Sequence, residues 1–227
     1  PEMVQIAHDA GKPLFVSVAG FKPKEFGQLA EVAAEGGADG VELNFGCPNI
    51  WDTGEQKGIF SFYPDMINEA LDRVWQEVEY SLPWMIKVSP FSNPMQLKEV
   101  AKTFSSWSIN AVVASNTFPN AYAIDLATGL PLITPSGGLA GFAGRGFKYI
   151  ALGQAKQWRD ALPSSIGVIG VGGISSGEDM AEYFQSGVVA VQAVSVLLMK
   201  HHLDLHVLDR LLLEFSELSE REAKAEA

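Results

Sequence analysis

A lone cysteine lies where a predicted strand ends, in a position at which it could do chemistry. The segment Asn44-Phe45-Gly46-Cys47-Pro48-Asn49 follows a strand pattern over residues 40–44, and Cys47 is the only cysteine in the chain. A lone cysteine is most often a small buried hydrophobic residue. Its place between a glycine and a proline in a strand-end loop instead favours a functional role for Cys47.

A lysine interrupts the apolar strand pattern over residues 84–89. An unpaired ammonium group is costly to bury, so Lys87 needs an anion or an electron-rich acceptor. Alternation along residues 40–44 places Glu42 and Asn44 on one face, which makes Glu42 a candidate for an internal ion pair. The other interpretation is a cation that stabilises negative charge on the pyrimidine edge of a reduced flavin. The two roles are compatible.

Glycines join a predicted strand to a predicted helix in Ile169-Gly170-Val171-Gly172-Gly173-Ile174-Ser175-Ser176-Gly177. Glycines at such a junction let backbone N–H groups and the helix N-terminus approach a phosphate. The spacing does not match the G-x-G-x-x-G fingerprint of dinucleotide-binding proteins. The next strand pattern ends at Val194 and Ser195, and the last two strands of a barrel commonly share one phosphate. A phosphate site is therefore predicted here, and a simple tight turn is the alternative.

Amide and hydroxyl side chains gather at the same predicted strand ends. Asn116 and Thr117 follow the strand pattern over residues 111–115, and Asn44 and Asn49 flank the cysteine. Asparagines in loops most often form turns. Three amides and a hydroxyl at neighbouring strand ends would instead suit a planar heterocycle that carries a carboxylate, and their shared location favours this interpretation.

The elements that must position these side chains alternate along the chain. Strand patterns cover residues 13–19, 40–44, 84–89, 111–115, 167–171 and 188–194. Helical patterns cover residues 23–35, 63–80, 93–106, 148–161, 177–185 and 204–218. About six such βα units predict a parallel sheet, either a closed barrel or an open doubly wound sheet, and in both the ligand binds at the carboxyl ends of the strands. The segment 116–147 is predicted to lack helices and strands, and long ordered loops are usually functional.

Composition limits the class of protein. The chain has 227 residues, 47% of them hydrophobic, which suits a single domain over residues 1–227. The formal net charge of -11 argues against nucleic acid as a partner. No apolar run approaches the ~20 residues that span a bilayer and the first residues do not form a signal peptide, so we expect no membrane association and a cytoplasmic protein. Four histidines without a paired-ligand spacing predict no metal site.

Seven segments together resemble the class 1 dihydroorotate dehydrogenase family. They are, in the family's order, GKPLFVSVAG, VELNFGCPN, MIKVSP, ASNTF, GGLAG, GVGGISSGED and AVQAVSVLL. The resemblance spans essentially the whole chain and implies an FMN-containing (β/α)8 TIM barrel that oxidises dihydroorotate to orotate in pyrimidine biosynthesis. It also implies a cytoplasmic homodimer, or a complex with an iron–sulfur electron-transfer subunit. The family's first two strands precede the region where Pro1 begins, so we expect a partial sequence with six of eight βα units. The alternatives are a related flavin barrel acting on another dihydropyrimidine and an inactive barrel fragment.

The same resemblance implies roles for individual residues. Cys47 is implied to remove the C5 proton of the substrate while hydride passes from C6 to flavin N5. The implied substrate contacts are Asn44, Asn49, Asn116 and Thr117. The implied flavin contacts are Ser17, Asn44, Lys87, Ser115, Gly141, Gly172, Gly173, Val194 and Ser195. Val194 departs from the family, which usually has glycine in this phosphate turn, so the backbone donor remains but bulk is added.

Overall fold

Six parallel strands form the central sheet of the protein. The computed structural model describes residues 1–48, 51–52, 55–78, 81–133, 135–198 and 206–225. The strands are β1 (Phe15–Val18), β2 (Gly40–Asn44), β3 (Trp84–Val88), β4 (Ala111–Ala114), β5 (Gly167–Val171) and β6 (Ala190–Gln192). Each strand pairs in parallel with the next one in sequence, from β1 to β6. This order is that of a barrel and excludes the doubly wound alternative, in which the strand order reverses.

The sheet is strongly curled. Gln192 on β6 donates a hydrogen bond of 2.8 Å to Glu42 on β2, although three strands lie between β2 and β6. Four strand spacings of about 4.8 Å would separate these strands by about 19 Å in a flat sheet. The predicted barrel architecture with six βα units is therefore confirmed. Within the described ranges, no strand pairs with the outer edge of β1 or of β6.

Eight helices accompany the sheet within the described residues. They are α1 (Glu2–Asp9), α2 (Pro23–Glu35), α3 (Pro64–Val78), α4 (Pro94–Ser105), α5 (Lys148–Ala161), α6 (Gly177–Gln185), α7 (Ser195–Leu198) and α8 (Val207–Ala225). Local sequence sets their starts. In α4, for example, Pro94 occupies the first turn, and Asn93 Oδ1 accepts a hydrogen bond of 2.9 Å from Met95 N. None of the helices in the described part of the chain is long and apolar enough to cross a membrane.

Alternation along the strands separates two apolar regions. Residues of one strand face, such as Leu43 and Ile86, are fully buried against the helices. This main core also contains Phe26, Trp158 and Tyr183, which are among the largest fully buried side chains. The opposite strand face lines the interior of the curl, where a smaller cluster contains Met85, Ala111 and Val113, with Ile169 and Val171 against it. Polar strand residues therefore project into the concave interior of the curled sheet.

Four features differ from the predictions. The segment 116–147, predicted to lack helices and strands, contains two antiparallel pairs: Phe118–Tyr122 with Leu139–Phe142, and Ile124–Asp125 with Leu130–Pro131. Its prolines and glycines masked the strand pattern. Helix α1 was not predicted, and α8 extends to Ala225, beyond the predicted end at residue 218. Strand β6 covers only the middle of the predicted range 188–194.

Candidate active site

A cavity of about 230 Å³ opens at the carboxyl ends of β3 to β6, where the sequence predicted a ligand. Segment 143–147, which leads into α5, forms another wall. The predicted site residues that line it are Lys87, Ser115, Asn116, Thr117, Gly172, Gly173, Val194 and Ser195. The structure therefore brings eight predicted site residues from four strand ends to one cavity. Gln192 and Phe147 also line it, and neither was predicted.

A polar network occupies the interior of the barrel below this cavity. Glu42 is 5% exposed and accepts hydrogen bonds from Ser17 Oγ (2.7 Å) and Gln192 Nε2 (2.8 Å). Lys87 Nζ lies 3.6 Å from Glu42 Oε1 and donates to Gln192 Oε1 at 3.0 Å. The predicted ion pair of Lys87 with Glu42 is therefore present, and Gln192 bridges it. A buried carboxylate with these partners is compensated, and the ammonium group is fixed at the floor of the cavity.

Gln192 could have been found in the sequence. It is the one polar residue inside the apolar run over residues 188–194. Like the lysine in its own strand, a polar side chain in such a run needs a polar partner. Ser17 donates a hydrogen bond to Glu42 and is not among the residues that line the cavity, and the flavin contact that the family resemblance implies for it stays a prediction. Its observed contact is thus with the network.

Two amide side chains join the cysteine loop to the cavity. Asn116 Nδ2 donates a hydrogen bond of 2.8 Å to Asn44 Oδ1, which also accepts from Gly46 N at 3.2 Å. Asn116 Oδ1 in turn accepts from Thr117 N at 2.7 Å. Both amide oxygens are thus engaged within the protein. The groups that this amide pair can offer a ligand are N–H donors, which suit carbonyl and carboxylate oxygens.

The loop of Cys47 packs closely on the end of β3. A Cβ atom on Gly46 would lie 2.5 Å from Ser89 N, so only glycine fits. Cys47 follows at once and is a free, partly exposed thiol. Beyond it, Gln56 Nε2 donates to Pro48 O and to Asn120 Oδ1, both at 3.0 Å, and so ties the loop to the strand Phe118–Tyr122. The predicted site residue Asn49 lies outside the described residues.

Gly141 lies beside Thr117 and the cysteine loop, and its implied contact with a flavin stays a prediction. A Cβ atom there would overlap Thr117 Oγ1 and lie 3.4 Å from Pro48 Cγ. Gly141 therefore lets the strand Leu139–Phe142 approach the cysteine loop and Thr117, and it is not among the residues that line the cavity. Among the described residues its immediate neighbours belong to the amide and cysteine side of the site.

The glycine turn, residues 172–176, contributes Gly172, Gly173 and Ile174 to the far wall of the cavity. Gly172 (φ 127°) and Gly173 (φ 73°) adopt backbone conformations that favour glycine. Cβ atoms on them would lie 2.6 Å from Ala151 Cβ and 2.7 Å from Lys148 Cα, so the turn lies directly on helix α5. Gly172 O accepts a hydrogen bond of 2.8 Å from the hydroxyl of Tyr183, and burial raises the pKa of this phenol.

A buried ion pair that the sequence did not reveal supports this turn. Lys148 and Asp179 are 8% and 5% exposed and are hydrogen-bonded to each other, and Glu182 Oε2 lies 2.6 Å from Lys148 Nζ. Burial lowers the pKa of Lys148, but the hydrogen bonds to Asp179 and Glu182 outweigh it and hold that pKa above its ordinary value. Burial likewise raises the pKa of Asp179, and the hydrogen bonds from Lys148 and Ser175 bring it below its ordinary value. Both groups are therefore charged near neutral pH.

Ser115 and Val194 complete the lining. Ser115 is 2% exposed, and its hydroxyl has no hydrogen-bond partner in the described part of the chain. A buried hydroxyl without a partner beside a cavity is suited to a polar atom of a ligand. Val194, which replaces the family's usual glycine, leaves 59% of its surface exposed.

The chain is similar in sequence to one known protein family and to several known proteins. The family model described as dihydroorotate dehydrogenase matches residues 3–214. A relative from Thermoplasma acidophilum, named dihydroorotate dehydrogenase B (NAD(+)), catalytic subunit, is 32% identical over 199 residues, which are 86% of this chain and 61% of the relative. A protein of the same name from Methanocella arvoryzae is 33% identical over 195 residues, 86% of this chain and 60% of the relative.

A relative whose name gives fumarate instead of NAD(+) also matches the chain. The protein from Streptococcus pyogenes serotype M3 named putative dihydroorotate dehydrogenase A (fumarate) is 29% identical over 187 residues, 82% of this chain and 58% of the relative. The chain thus spans about 60% of the length of the curated relatives it matches. The family model covers nearly all of the chain, in agreement with the barrel order of the strands and the cysteine loop at their carboxyl ends. The chain belongs to the dihydroorotate dehydrogenase family.

Proposed function

We propose that this chain carries the catalytic wall of an FMN-dependent dihydroorotate dehydrogenase, which oxidises dihydroorotate to orotate in pyrimidine biosynthesis. The observation that carries the proposal is the 2.8 Å hydrogen bond between Asn116 and Asn44. It joins the loop of the only cysteine to a cavity that has a partly buried lysine at its floor and a glycine turn at its far wall. A base, a cation and a phosphate-sized backbone turn thereby meet at one end of the barrel.

The lining of the cavity fits FMN. The unpartnered Ser115 hydroxyl and the Lys87 ammonium suit the polar edge of a flavin ring, and the Lys87 charge would stabilise the anionic reduced ring. Gly172, Gly173, Val194 and Ser195 suit the phosphate, because their backbone N–H groups lie at the ends of the last two strands. When bound, FMN supplies the acceptor for the hydride from C6 of the substrate.

The remaining chemistry belongs to the protein. The N–H groups of Asn44 and Asn116 bind carbonyl and carboxylate oxygens of dihydroorotate, and the Thr117 hydroxyl adds a further contact. Cys47 Sγ takes the proton from C5 as the hydrogen at C6 leaves with its electron pair, so that the C5–C6 double bond forms. The tie from Gln56 to Asn120 holds the loop over the substrate and limits the entry of water.

The relatives favour one electron acceptor. The NAD(+)-type catalytic subunits are 32% and 33% identical to this chain, against 29% for the fumarate-type relative. We therefore propose a partner subunit that carries electrons from the flavin to NAD(+) through an iron–sulfur cluster. Turnover of the chain with fumarate alone would contradict this choice and would favour the homodimer. The cytoplasmic location remains a prediction.

The central experiment compares wild type with Cys47→Ala. The chain is purified, supplied with FMN and mixed with dihydroorotate without oxygen, and bleaching of the flavin and formation of orotate are followed. We expect Cys47→Ala to bind FMN as wild type does and to lose about 10²–10⁴-fold in bleaching rate, the usual contribution of a general base. A photoreduction control shows that the bound flavin of the variant can still be reduced.

Three results would contradict the proposal in different ways. A wild-type protein that takes up no FMN would exclude a flavin enzyme and leave the inactive fragment. Bleaching by dihydrouracil that is faster than bleaching by dihydroorotate would favour another dihydropyrimidine as the substrate. Bleaching of Cys47→Ala at the wild-type rate would exclude Cys47 as the base.

A further inference from the structure

We infer that the buried ion pair of Lys148 and Asp179 is a positioning device for the flavin phosphate. In this arrangement the pair does not touch the ligand and instead holds the glycine turn, residues 172–176, in its phosphate-binding shape. The inference rests on the proposed function, because it assumes that FMN binds in the cavity. It assigns a role to two residues that the chemistry of Cys47 and the amides does not use.

One oxygen of Asp179 ties the end of the turn. Asp179 Oδ2 accepts hydrogen bonds from Ser175 N at 2.7 Å, from Ser175 Oγ at 2.9 Å and from Ser176 N at 3.0 Å. Ser176 Oγ in return accepts from Asp179 N at 3.2 Å and caps helix α6. The backbone at the end of the turn is thus fixed to a carboxylate rather than to solvent.

Lys148 fixes that carboxylate and also supports the turn. Its ammonium group bonds to Asp179 Oδ1 and lies 2.6 Å from Glu182 Oε2. Its own backbone lies beneath Gly173, since a Cβ atom there would come within 2.7 Å of Lys148 Cα. Phe147, the residue before it, lines the cavity. Lys148 therefore connects the N-terminus of α5, the cavity wall and the carboxylate that holds the turn.

The start of the turn has its own tie. The hydroxyl of Tyr183, a fully buried side chain of α6, donates to Gly172 O at 2.8 Å. With both ends fixed, the N–H groups of Gly173 and Ile174 lie between them at the cavity, and neither has a backbone or side-chain acceptor in the described part of the chain. Two adjacent N–H groups without acceptors in a glycine turn form a concavity for an anion.

Lys148 does not bind the phosphate itself. Its ammonium group already contacts two carboxylates, and Lys148 is not among the residues that line the cavity. Removal of the charge would leave Asp179 buried without its cation, and the carboxylate would then move towards water and release the two serine N–H groups. A purely structural ion pair would affect any ligand of the cavity equally. A positioning pair affects the phosphate selectively.

The test compares FMN with riboflavin, which lacks the phosphate. Dissociation constants for both are measured by flavin fluorescence with the 227-residue chain, with Lys148→Met and with the control Lys156→Met. Lys156 lies on the same helix and forms an exposed i,i+4 pair with Asp160. Wild type should bind FMN more tightly than riboflavin. We expect Lys148→Met to lose about tenfold or more in FMN affinity, while its riboflavin affinity and both affinities of the control stay within about twofold.

The possible outcomes separate the inference from the proposed function. If Lys148→Met loses affinity for both flavins equally, or keeps wild-type affinity for FMN, the positioning role is refuted and the proposed function stands. If wild type binds neither flavin, both are refuted. Should Lys148→Met fail to fold, Asp179→Asn provides the second test, because it keeps the size of the side chain and removes its charge. The same selective loss of FMN affinity is then expected, and an unchanged ratio of the two affinities would overturn the inference.

Discussion

Replacement of Gln192 by leucine should destabilise the barrel measurably. The side chain joins β6 to two charged residues, accepting from Lys87 at 3.0 Å and donating to Glu42 at 2.8 Å. Leucine has a similar volume, so the change removes hydrogen bonds and creates little empty space. The effect therefore reports on the polar bridge alone.

The magnitude follows from these contacts. A hydrogen bond to a charged group contributes about 1.5–3 kcal/mol, so two such bonds contribute about 3–6 kcal/mol. Lys87 Nζ lies 3.6 Å from Glu42 Oε1 and can move into direct hydrogen-bond contact, which recovers one of the bonds. Gln192 is only partly buried, so the hydrogen bond that is not recovered should contribute an energy near the lower end of its range. We expect the free energy of unfolding to fall by about 2 kcal/mol.

Urea denaturation followed by tryptophan fluorescence measures this change. The matched control is Gln157→Leu, because Gln157 is exposed on α5 and, among the described residues, its side chain bonds only to a carbonyl of its own helix, Gly153 O. It should change the free energy of unfolding by no more than about 0.5 kcal/mol. A loss for Gln192→Leu no larger than that of the control would refute the idea that this bridge stabilises the curl of the sheet.

Three further outcomes are expected. Gly46→Ala should destabilise the chain by about 2 kcal/mol or more, because the added Cβ atom would lie 2.5 Å from backbone. The control Gly153→Ala has open space around the added atom and should be neutral or stabilising in the same urea assay. The stability difference between wild type and Lys148→Met should be constant near neutral pH, because the pKa of Asp179 is lowered and that of Lys148 is raised. This difference should shrink as pH falls below 3.8 or rises above 10.5. A stability difference that is largest in acid would contradict the ion pair. Gln56→Ala should speed amide hydrogen exchange in the cysteine loop without a change in global stability, and unchanged exchange would show that the tie does not hold the loop.

The sequence predicted the parallel strands and the carboxyl-end location of the site because both depend on local patterns. Apolar runs of strand length alternated with helical periodicity, and the polar exceptions, such as Lys87, lay inside those runs. The ion pair with Glu42 could be predicted in the same way, because alternation along its strand assigns the Glu42 side chain to the interior of the barrel. The correct predictions are therefore those that depend on the sequence pattern within a single strand.

The parts that were missed depend on contacts between distant segments. Lys148 and Asp179 each look like an ordinary charge at the start of a helix, and only the packing of α5 on α6 buries them together. The strand Phe118–Tyr122 pairs with one that begins seventeen residues after it ends, across an inner hairpin, which no short-range pattern reveals. The close approach of Gly141 to Thr117, which leaves no room for a side chain on residue 141, is another contact between separate segments.

The polar network also explains how a sheet with unpaired outer edges in the described structure can keep its site assembled. Glu42 accepts one hydrogen bond from Ser17 on β1 and another from Gln192 on β6, so a single carboxylate connects the two edge strands across the interior. The cysteine loop follows the strand of this carboxylate, and Val194 and Ser195, the residues proposed to bind the phosphate, follow the strand of Gln192. The distance between the proposed base and the proposed phosphate site is thus set through side chains, because no backbone ladder links β1 to β6 among the described residues. Stability of the network and geometry of the site are therefore coupled, and a substitution at Gln192 should disturb both.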